Sequence, residues 1–388
     1  MAADAGVQAS AKSKPNSTYI PSLDGLRAIA FLCVFGAHTN GPTFGHYVPA
    51  TFGVTLFFFL SGYLITTLLR GEAQRTGKIV LKDFYIRRAL RIFIPMYITF
   101  CVAELIGWLR FHDWHITRGG FFSVLFYVFN YTRMLIKPEP LLPRGFDVTW
   151  SLGVEEHFYL LFPLLYLIML RKGVSRETQV KILLALCAIG LCWRTYVSYH
   201  RFPESWTYYA TDCRFDSILW GSLLALWTNP VYDPAPPLLK RFGGVLAGIA
   251  FFILVGSMVI GAWHRIDPAA YLRYQDTLRY SLQGLWLYFI FHFAISSTGH
   301  WSVRWLENRA LRYVGWLSYS LYLVHVSIER LFDNLSLNPW LISPLVFVLS
   351  FAYAFAMRHT VELPLQKLRA RFRHTPPPIS ATMPVEGI

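Results

Sequence analysis

The sequence has few charged residues. Asp, Glu, Lys and Arg make up only 15% of its 388 residues, whereas globular proteins contain about 25%. Hydrophobic residues account for 54% of the chain and aromatic residues for 17%. This composition excludes an arrangement of one or two ordinary soluble domains and is typical of a polytopic membrane protein.

Cysteine is also scarce. The five cysteines, at positions 33, 101, 187, 192 and 213, form no CxxC or Cys/His spacing. Most of them lie inside apolar segments, where free cysteine behaves as a small hydrophobic side chain. We therefore predict that they are core residues and that the chain has no metal site.

Acidic residues are fewer than basic ones, 22 against 36, which gives a formal net charge of +14. An excess of this size is found in nucleic-acid-binding proteins, but here the basic residues form short clusters between apolar segments. That pattern is typical of the topology signals of membrane proteins. We therefore predict that the lipid bilayer is a partner and that nucleic acid is not.

The N-terminus shows no apolar segment of signal-peptide length. Residues 1–20 are polar, small and basic, so we expect a disordered cytoplasmic arm and not a cleavable signal. Residues 369–388 are basic and then proline-rich, and we expect a disordered cytoplasmic tail. Residues 21–368 are predicted to form one transmembrane domain.

Ten apolar segments divide this domain. They fall near 26–40, 52–69, 92–109, 155–170, 182–199, 215–229, 242–263, 279–298, 312–329 and 340–357. Most approach the length that a helix needs to span a bilayer, and the shorter ones have Pro, Gly or charge at one end. We therefore predict an all-α polytopic fold with about ten transmembrane helices around a central pore.

A further apolar segment, 121–134, is short for a span and suits a re-entrant or interfacial segment. Threading the ten spans from a cytoplasmic N-terminus places 110–154 outside, and 70–91, 171–181 and both termini inside. The positive-inside rule is satisfied at the outer segment 333–339, which has no Lys or Arg, whereas arginines 118, 133 and 144 in the outer region 110–154 count against the threading. The predicted location is the bacterial plasma membrane, with both termini cytoplasmic.

The first apolar helix carries both Arg27 and His38. Eleven steps of 100° bring a helix back to within about 20° of its starting face, so the two side chains share a face and lie about 16 Å apart along the axis. Because ionisable groups are expensive at membrane depth, the pair indicates a helix that lines a pore. The alternative is an Arg27 that snorkels to the inner edge and a His38 in the outer interface.

Three arginines begin the third span. Arg87 and Arg91 are four positions apart and Arg88 and Arg91 are three apart, so a helix presents their guanidinium groups together. Such groups suit bidentate binding of phosphate. The alternative is a positive-inside flank that meets anionic lipid headgroups.

Further ionisable residues lie at or inside later spans. Glu155 and Glu156, followed by His157, enter the fourth span from outside. They form either an acid–base cluster or a solvated helix N-terminus, where acids complement the dipole. His292 and His325 lie within the eighth and ninth spans, where a single histidine is more often a core donor than a ligand.

Six motifs together resemble the acyltransferase-3 family of integral membrane O-acyltransferases. In order they are LDGLRA at 23–28 followed by His38, FFFLSGYLI at 57–65, FYIRRALRIFIP at 84–95, TWSLGVEEHFYLLFP at 149–163, SYSLYLVH at 318–325 and VELP at 361–364. The resemblance covers residues 20–368. Three positions depart from the family pattern: Gly153 stands where Ser is common, His157 where Gln is usual and Val324 where Trp is common.

The resemblance implies transfer of an acyl group, most often acetyl, from cytoplasmic acyl-CoA to a hydroxyl of an extracytoplasmic glycan or glycolipid. Acyl-CoA is then a co-substrate, and no permanently bound cofactor is expected. Arg88 and Arg91, with Arg87, are predicted to bind the CoA phosphates on the inner face. The residues expected to contact the substrate are Asp24, Trp150, Tyr159 and His325.

His38 is the predicted general base, because a neutral imidazole can remove the proton of an attacking hydroxyl. Glu155 or Glu156 is expected to hold the imidazolium. An acyl-imidazole relay on His38 fits the sequence equally well. The candidate donors to the thioester oxyanion are Arg27, Tyr159 and Trp150.

Two alternatives remain open from the sequence. A transporter or flippase for a glycan or acyl metabolite would also have buried charges, but the spans show no repeat pairing. An acyltransferase of this kind could also act on a macrolide-like small molecule.

Overall fold

The computed structural model describes residues 19–39, 50–110, 116–138, 141–200, 202–203, 205–262, 268–333, 335 and 338–372. Residues 1–18 of the predicted arm and 373–388 of the predicted tail lie outside these ranges. The described residues form fifteen α-helices with no strand, so the all-α prediction is confirmed for them. The helices are α1 (Pro21–Thr39), α2 (Ala50–Thr76), α3 (Leu81–Arg110), α4 (Arg118–Leu125), α5 (Phe129–Leu135), α6 (Trp150–Arg171), α7 (Arg176–Tyr199), α8 (Trp206–Tyr209), α9 (Thr211–Trp227), α10 (Pro237–Ala262), α11 (Pro268–Asp276), α12 (Arg279–Ser296), α13 (Arg309–Glu329), α14 (Pro339–Met357) and α15 (Leu363–Ala370).

Each of the ten apolar segments coincides with a helix. Within the described ranges, six helical segments are long and apolar enough to cross a membrane: Ala50–Thr76, Leu81–Arg110, Phe146–Arg171, Arg176–Tyr199, Pro237–Met258 and Trp340–Ala370. The other four segments belong to α1, α9, α12 and α13, and α9 shows why they differ, because it has 17 residues and carries Asp212, Arg214 and Asp216. Six candidate spans are therefore found, and the count of ten stays a prediction.

Close backbone contacts hold the central helices together. Helix α1 packs against α2 and α13, and α9 packs against α2, α7 and α12. A Cβ atom on Gly62 would lie 1.9 Å from the carbonyl oxygen of Ile218, and one on Gly221 would lie 1.9 Å from that of Phe59. Only glycine fits at such contacts, so this pair sets the separation of α2 and α9.

A similar close contact at a glycine joins α13 to the start of α1. A Cβ atom on Gly315 would lie 1.9 Å from the carbonyl oxygen of Asp24. The LDGLRA segment therefore lies directly against α13, which carries the SYSLYLVH segment one turn further on. Two motifs that are almost 300 positions apart in the sequence are in contact.

A buried ion pair connects α7, α9 and α12. Arg194 donates two hydrogen bonds to the carboxylate of Asp216, at 2.8 and 2.9 Å, and both side chains are fully buried. Ser281 accepts a hydrogen bond of 2.6 Å from Arg194 and donates one to Asp216. Because a buried charge is tolerated only when it is paired and hydrogen-bonded, this cluster fixes how the three helices pack.

A second ionic contact links the predicted cytoplasmic ends of α2 and α7. Asp233 accepts two hydrogen bonds from Arg70, at 2.6 and 2.8 Å, and further hydrogen bonds from Arg176. Burial raises the pKa of Asp233, but the hydrogen bonds from the two arginines outweigh it and hold that pKa below the usual value.

The segment 121–134 forms two short helices. α4 and α5 have eight and seven residues, or about 12 and 10 Å, whereas the hydrocarbon core is about 30 Å thick. A turn separates them, and Tyr127 in this turn has a φ of 58°. The hydroxyl of Tyr97, near the middle of α3, donates to the carbonyl oxygen of Leu125 at 2.9 Å. Neither helix is long enough to span, and the re-entrant placement stays a prediction.

Candidate active site

A cavity of about 1140 Å³ lies between α1, α2, α3, α6, α13 and the segment 358–369. Among the described residues, seven arginines and three glutamates line it and no Asp, Lys or His does, so the formal charge of this wall is positive by four. The arginines are Arg27, Arg75, Arg87, Arg88, Arg91, Arg358 and Arg369, and the glutamates are Glu72, Glu155 and Glu362. Such a wall attracts an anionic ligand.

The charged and apolar parts of this wall come from opposite ends of the helices. Arg75 lies at the end of α2, and the arginines at 87, 88 and 91 lie in the first three turns of α3. The other end of α2 contributes Val54 and Phe57, and these lie with Ser151 and Tyr322. The cavity therefore runs from a cationic mouth to a largely apolar end.

Arg27 is held at the cavity wall by Asp24. Its Nη1 lies 2.7 Å from Asp24 Oδ1, and the other carboxylate oxygen accepts hydrogen bonds from the Tyr19 hydroxyl at 2.6 Å and from Trp316 Nε1 at 2.8 Å. Asp24 is buried and has three donors, so it positions its neighbours. We predicted that Asp24 contacts the substrate, and the hydrogen bonds that the structure gives it are to the protein.

The three arginines of α3 all line the cavity, but only one of them is neutralised. Arg87 Nη2 lies 3.0 Å from Glu72 Oε2. The guanidinium carbon of Arg88 lies 5.1 Å from the ring centroid of Tyr159, a cation–π contact. In the described part of the chain neither Arg88 nor Arg91 forms an ion pair or a hydrogen bond. The guanidinium groups of Arg88 and Arg91 therefore remain available to bind an anion.

Glu155 lies in the wall together with two hydroxyl groups. Ser61 Oγ donates to Oε1 at 3.1 Å, and the Tyr159 hydroxyl donates to Oε2 at 2.9 Å. The two hydroxyls are 2.9 Å apart. Both oxygens of the carboxylate are thus satisfied inside this cluster, and we had not singled out Ser61 from the sequence.

Glu156 does not line the cavity. Glu155 lines it, whereas Glu156, the next residue of α6 and rotated by about 100°, points away from it. One oxygen of Glu156, Oε1, is buried and has no hydrogen-bond partner among the described residues. His157 Nδ1 lies 2.7 Å from Thr211 Oγ1. The three consecutive ionisable residues therefore occupy three different environments.

Trp150 is buried in an aromatic cluster outside the cavity. Its ring centroid lies 4.8 Å from that of Tyr208 and 5.1 Å from that of Tyr209. The guanidinium carbon of Arg214, itself fully buried, lies 5.7 Å from the ring. Trp150 thus packs beside a buried cation, and its predicted contact with the substrate stays a prediction.

The two histidines of α1 and α13 form a pair. His38 Nδ1 lies 2.8 Å from the carbonyl oxygen of Val34 and 3.3 Å from Nε2 of His325. His325 is fully buried, and its Nδ1 lies 2.8 Å from the carbonyl oxygen of Tyr322. Neither imidazole lines the cavity, but Tyr322, one turn earlier on α13, closes its apolar end, where its hydroxyl lies 2.7 Å from Ser151 Oγ.

The structure therefore separates the predicted site residues into groups. Arg27, Arg88, Arg91, Glu155 and Tyr159 meet in the cavity, and His38 meets His325 beyond its apolar end. Among the described residues, no hydrogen bond joins His38 to either glutamate.

Sequence reasoning did not single out several residues of the cavity wall, which are Ser61, Glu72, Arg75, Trp316, Arg358, Glu362 and Arg369. The sequence did contain a signal for Glu362, because this residue lies in the VELP motif, and the structure places it at the end of a π-helical turn, Arg358–Glu362. Turns of this kind are frequent at functional sites. Its carboxylate accepts a hydrogen bond of 2.6 Å from Ser320. The sequence contained no such signal for Arg75, Arg358 and Arg369, because basic residues are common at the ends of membrane spans.

Comparison with known proteins gives one family and a set of relatives. The family model described as an acyltransferase domain matches residues 20–359. The chain is 29% identical over 320 residues to the peptidoglycan O-acetyltransferase OatA of Listeria monocytogenes, which covers 81% of this chain and 50% of that protein. It is 32% identical over 338 residues to the O-acetyltransferase OatA of Staphylococcus aureus, with 80% and 50% covered. The chain spans about half the length of the curated relatives it matches, and no solved structure matches it significantly.

Proposed function

This chain belongs to the acyltransferase-3 family, and from that membership we propose that it transfers an acyl group, most often acetyl, from cytoplasmic acyl-CoA to a hydroxyl of an extracytoplasmic glycan. The relatives are named for O-acetylation of peptidoglycan, so we propose a cell-wall glycan as the acceptor. The enzyme would act in the bacterial plasma membrane, and its donor would enter from the cytoplasm.

The charge of the cavity is the observation that carries this proposal. CoA bears two diphosphate charges and a 3′-phosphate of about −1.5 to −2. The cavity wall has an excess of four positive charges, which is close to the charge needed to balance them. The unpaired guanidinium groups of Arg88 and Arg91 can form the bidentate hydrogen bonds that phosphate oxygens accept.

The apolar end of the cavity suits the pantetheine arm and the thioester of acyl-CoA. With the phosphates at the arginines, the pantetheine arm would extend past Tyr159 towards Phe57 and Tyr322, which carry few charges to desolvate. The thioester would then approach the side of α13 on which His325 and His38 lie. The acceptor hydroxyl would reach His38 from the outer side.

The proposed reaction balances with the groups at hand. His38 removes the proton of the acceptor hydroxyl, the oxygen attacks the thioester carbon, and the carbon–sulfur bond breaks after the new carbon–oxygen bond has formed. The thiolate of CoA leaves and takes the proton from His38. Arg27 or Tyr159 would donate to the oxyanion. An acyl-imidazole on His38 would divide the same transfer into two steps.

The test uses the full chain purified into nanodiscs. It is incubated with acetyl-CoA labelled with ¹⁴C on the acetyl group and with soluble peptidoglycan strands. We expect release of free CoA and an equal amount of label on the glycan, and neither in a His38→Ala variant. Label that stays on CoA, or uptake of glycan by proteoliposomes without release of CoA, would instead support a transporter.

A further inference from the structure

We propose that His325 is a positioning residue for His38: it holds the ring in the orientation that presents Nε2 of His38 as the base, and it accepts a hydrogen bond from the imidazolium that forms. The observation is the contact of 3.3 Å between His325 Nε2 and His38 Nδ1, across the interface of α13 and α1. The inference rests on the proposed function, because it assigns a role within that reaction. It also replaces the expected glutamate with a neutral partner.

The backbone decides which ring nitrogens carry hydrogen. Nδ1 of His325 faces the carbonyl oxygen of Tyr322 at 2.8 Å, and a carbonyl oxygen can only accept. Nδ1 of His325 is therefore the donor, and its Nε2 has a lone pair. Nδ1 of His38 faces two acceptors, the carbonyl oxygen of Val34 and this lone pair, so it also carries its hydrogen. Nε2 of His38 is then the basic nitrogen.

Two acceptors from two helices fix the imidazole better than one would. The bond to Val34 lies within α1 and sets the tautomer, but it leaves the ring free to tilt about that single bond. His325 provides a second anchor on α13. Aromatic rings hold His325 itself in place, since the centroids of Phe31 and Tyr322 both lie 5.8 Å from its ring. His325 is fully buried, so it does not exchange these partners for water.

Protonation of His38 makes the second acceptor more important. When Nε2 takes the proton of the acceptor hydroxyl, Nδ1–H becomes a donor on a cation, and hydrogen bonds of that kind are roughly twice as strong as neutral ones. Among the described residues no carboxylate is hydrogen-bonded to His38: Asp147 acts on it only through its charge, and both oxygens of Glu155 are taken by Ser61 and Tyr159. The lone pair of His325 is therefore the side-chain acceptor available to the imidazolium.

Two substitutions at position 325 separate this role from a structural one. In His325→Asn the side-chain amide nitrogen can replace Nδ1 and donate to the carbonyl oxygen of Tyr322, but no atom remains near His38. In His325→Gln the amide oxygen can occupy the place of Nε2 and accept from His38, while the bond to Tyr322 is lost. If His325 only maintains the structure, the Asn variant should keep the higher kcat. If His325 positions His38, the Gln variant should keep the higher kcat.

The experiment measures both variants in nanodiscs with labelled acetyl-CoA and peptidoglycan strands. We expect His325→Asn to lower kcat about 10- to 150-fold, the value of a hydrogen bond to a charged group, and His325→Gln to stay within about threefold of the wild-type kcat. The KM for acetyl-CoA and the Kd for CoA, from calorimetry, should remain within about twofold in both, since His325 does not line the cavity.

The remaining outcomes overturn one proposal or the other. Equal kcat in the two variants, or a loss that falls on the KM for acetyl-CoA, would refute the positioning role. Loss of CoA binding in both variants would show that His325 maintains the fold, which also refutes it. A wild-type protein that binds CoA but transfers no acetyl group would instead refute the proposed function, and the inference would fall with it.

Discussion

Removal of either unpaired arginine of α3 should weaken the binding of CoA specifically. Arg88 and Arg91 line the cavity and form no ion pair among the described residues. Among the described residues Arg88 contacts aromatic rings, with its guanidinium carbon 5.1 Å from the ring centroid of Tyr159 and 5.8 Å from that of Phe84, and it forms no hydrogen bond with a carboxylate. If each of these guanidinium groups binds a phosphate of CoA, removal of the arginine removes a charge-assisted hydrogen bond to CoA. It does not leave a carboxylate of the cavity wall without an ion-pair partner.

The size of the effect follows from that contact. A hydrogen bond to a charged group contributes about 1.5 to 3 kcal/mol, so Arg88→Ala and Arg91→Ala should each raise the Kd for CoA about 10- to 150-fold. Arg91→Lys keeps the charge but not the bidentate geometry, so its loss should be smaller. Arg87 is less informative, because its removal would also leave Glu72 without its partner at 3.0 Å.

Isothermal titration calorimetry of CoA against the purified protein measures this directly. Lys181→Ala is the matched control, since it removes a positive charge from an exposed pair with Glu177 outside the cavity. S-acetylpantetheine, which lacks the phosphates, is the matched ligand and should show the same KM in wild type and variants. A Kd for CoA within twofold of wild type, or an equal loss with S-acetylpantetheine, would show that these arginines do not bind phosphate.

Three further predictions concern the base, the packing and the topology. His38→Ala should abolish transfer and leave the Kd for CoA unchanged, and wild-type turnover at equal protein abundance would remove His38 from the mechanism. Asp216→Ala leaves the fully buried guanidinium of Arg194 without its counter-ion, so we expect a loss of about 3 to 5 kcal/mol in the free energy of unfolding, seen as a lower Tm in detergent, whereas an unchanged Tm would contradict this account of the pair. In a cysteine-free background, a cysteine that replaces Lys137 should react with an impermeant maleimide in intact cells, and one that replaces Lys172 should react only after permeabilisation. Labelling of position 172 from outside would mean that every segment after α5 has the opposite orientation in the membrane.

The helices were easier to predict than their ends. Each apolar segment coincides with a helix because burial in lipid or protein demands a long apolar run, which composition records directly. The ends differ because helices continue into polar sequence. The sequence predicts the third apolar segment at 92–109, but α3 begins at Leu81 and includes the arginines. Apolarity cannot detect such an extension, although the spacing of Arg87, Arg88 and Arg91 did indicate a shared helical face.

Contacts between helices were beyond the reach of local spacing. Arg27 and His38 were placed on one helix, which is α1, but only Arg27 lines the cavity. The partner of His38 comes from α13, 287 positions away in the sequence, and no periodicity reports a contact at that separation. Local spacing also did not decide which of Glu155 and Glu156 lines the cavity, since adjacent residues such as Arg87 and Arg88 can both line it.

A neutral partner for His38, the proposed base, is also what a buried site favours. A carboxylate beside His38 would have to be desolvated before the imidazolium exists, and an unpaired charge in a low-dielectric interior costs several kcal/mol. The hydroxyls of Ser61 and Tyr159 instead satisfy Glu155 at 3.1 and 2.9 Å, within the cationic cavity where its charge is balanced. His325 has no charge to desolvate, yet its lone pair is present when the proton arrives. In the proposed reaction the carboxylate would therefore serve the part of the site that binds an anion, and the neutral imidazole would serve the part that moves a proton.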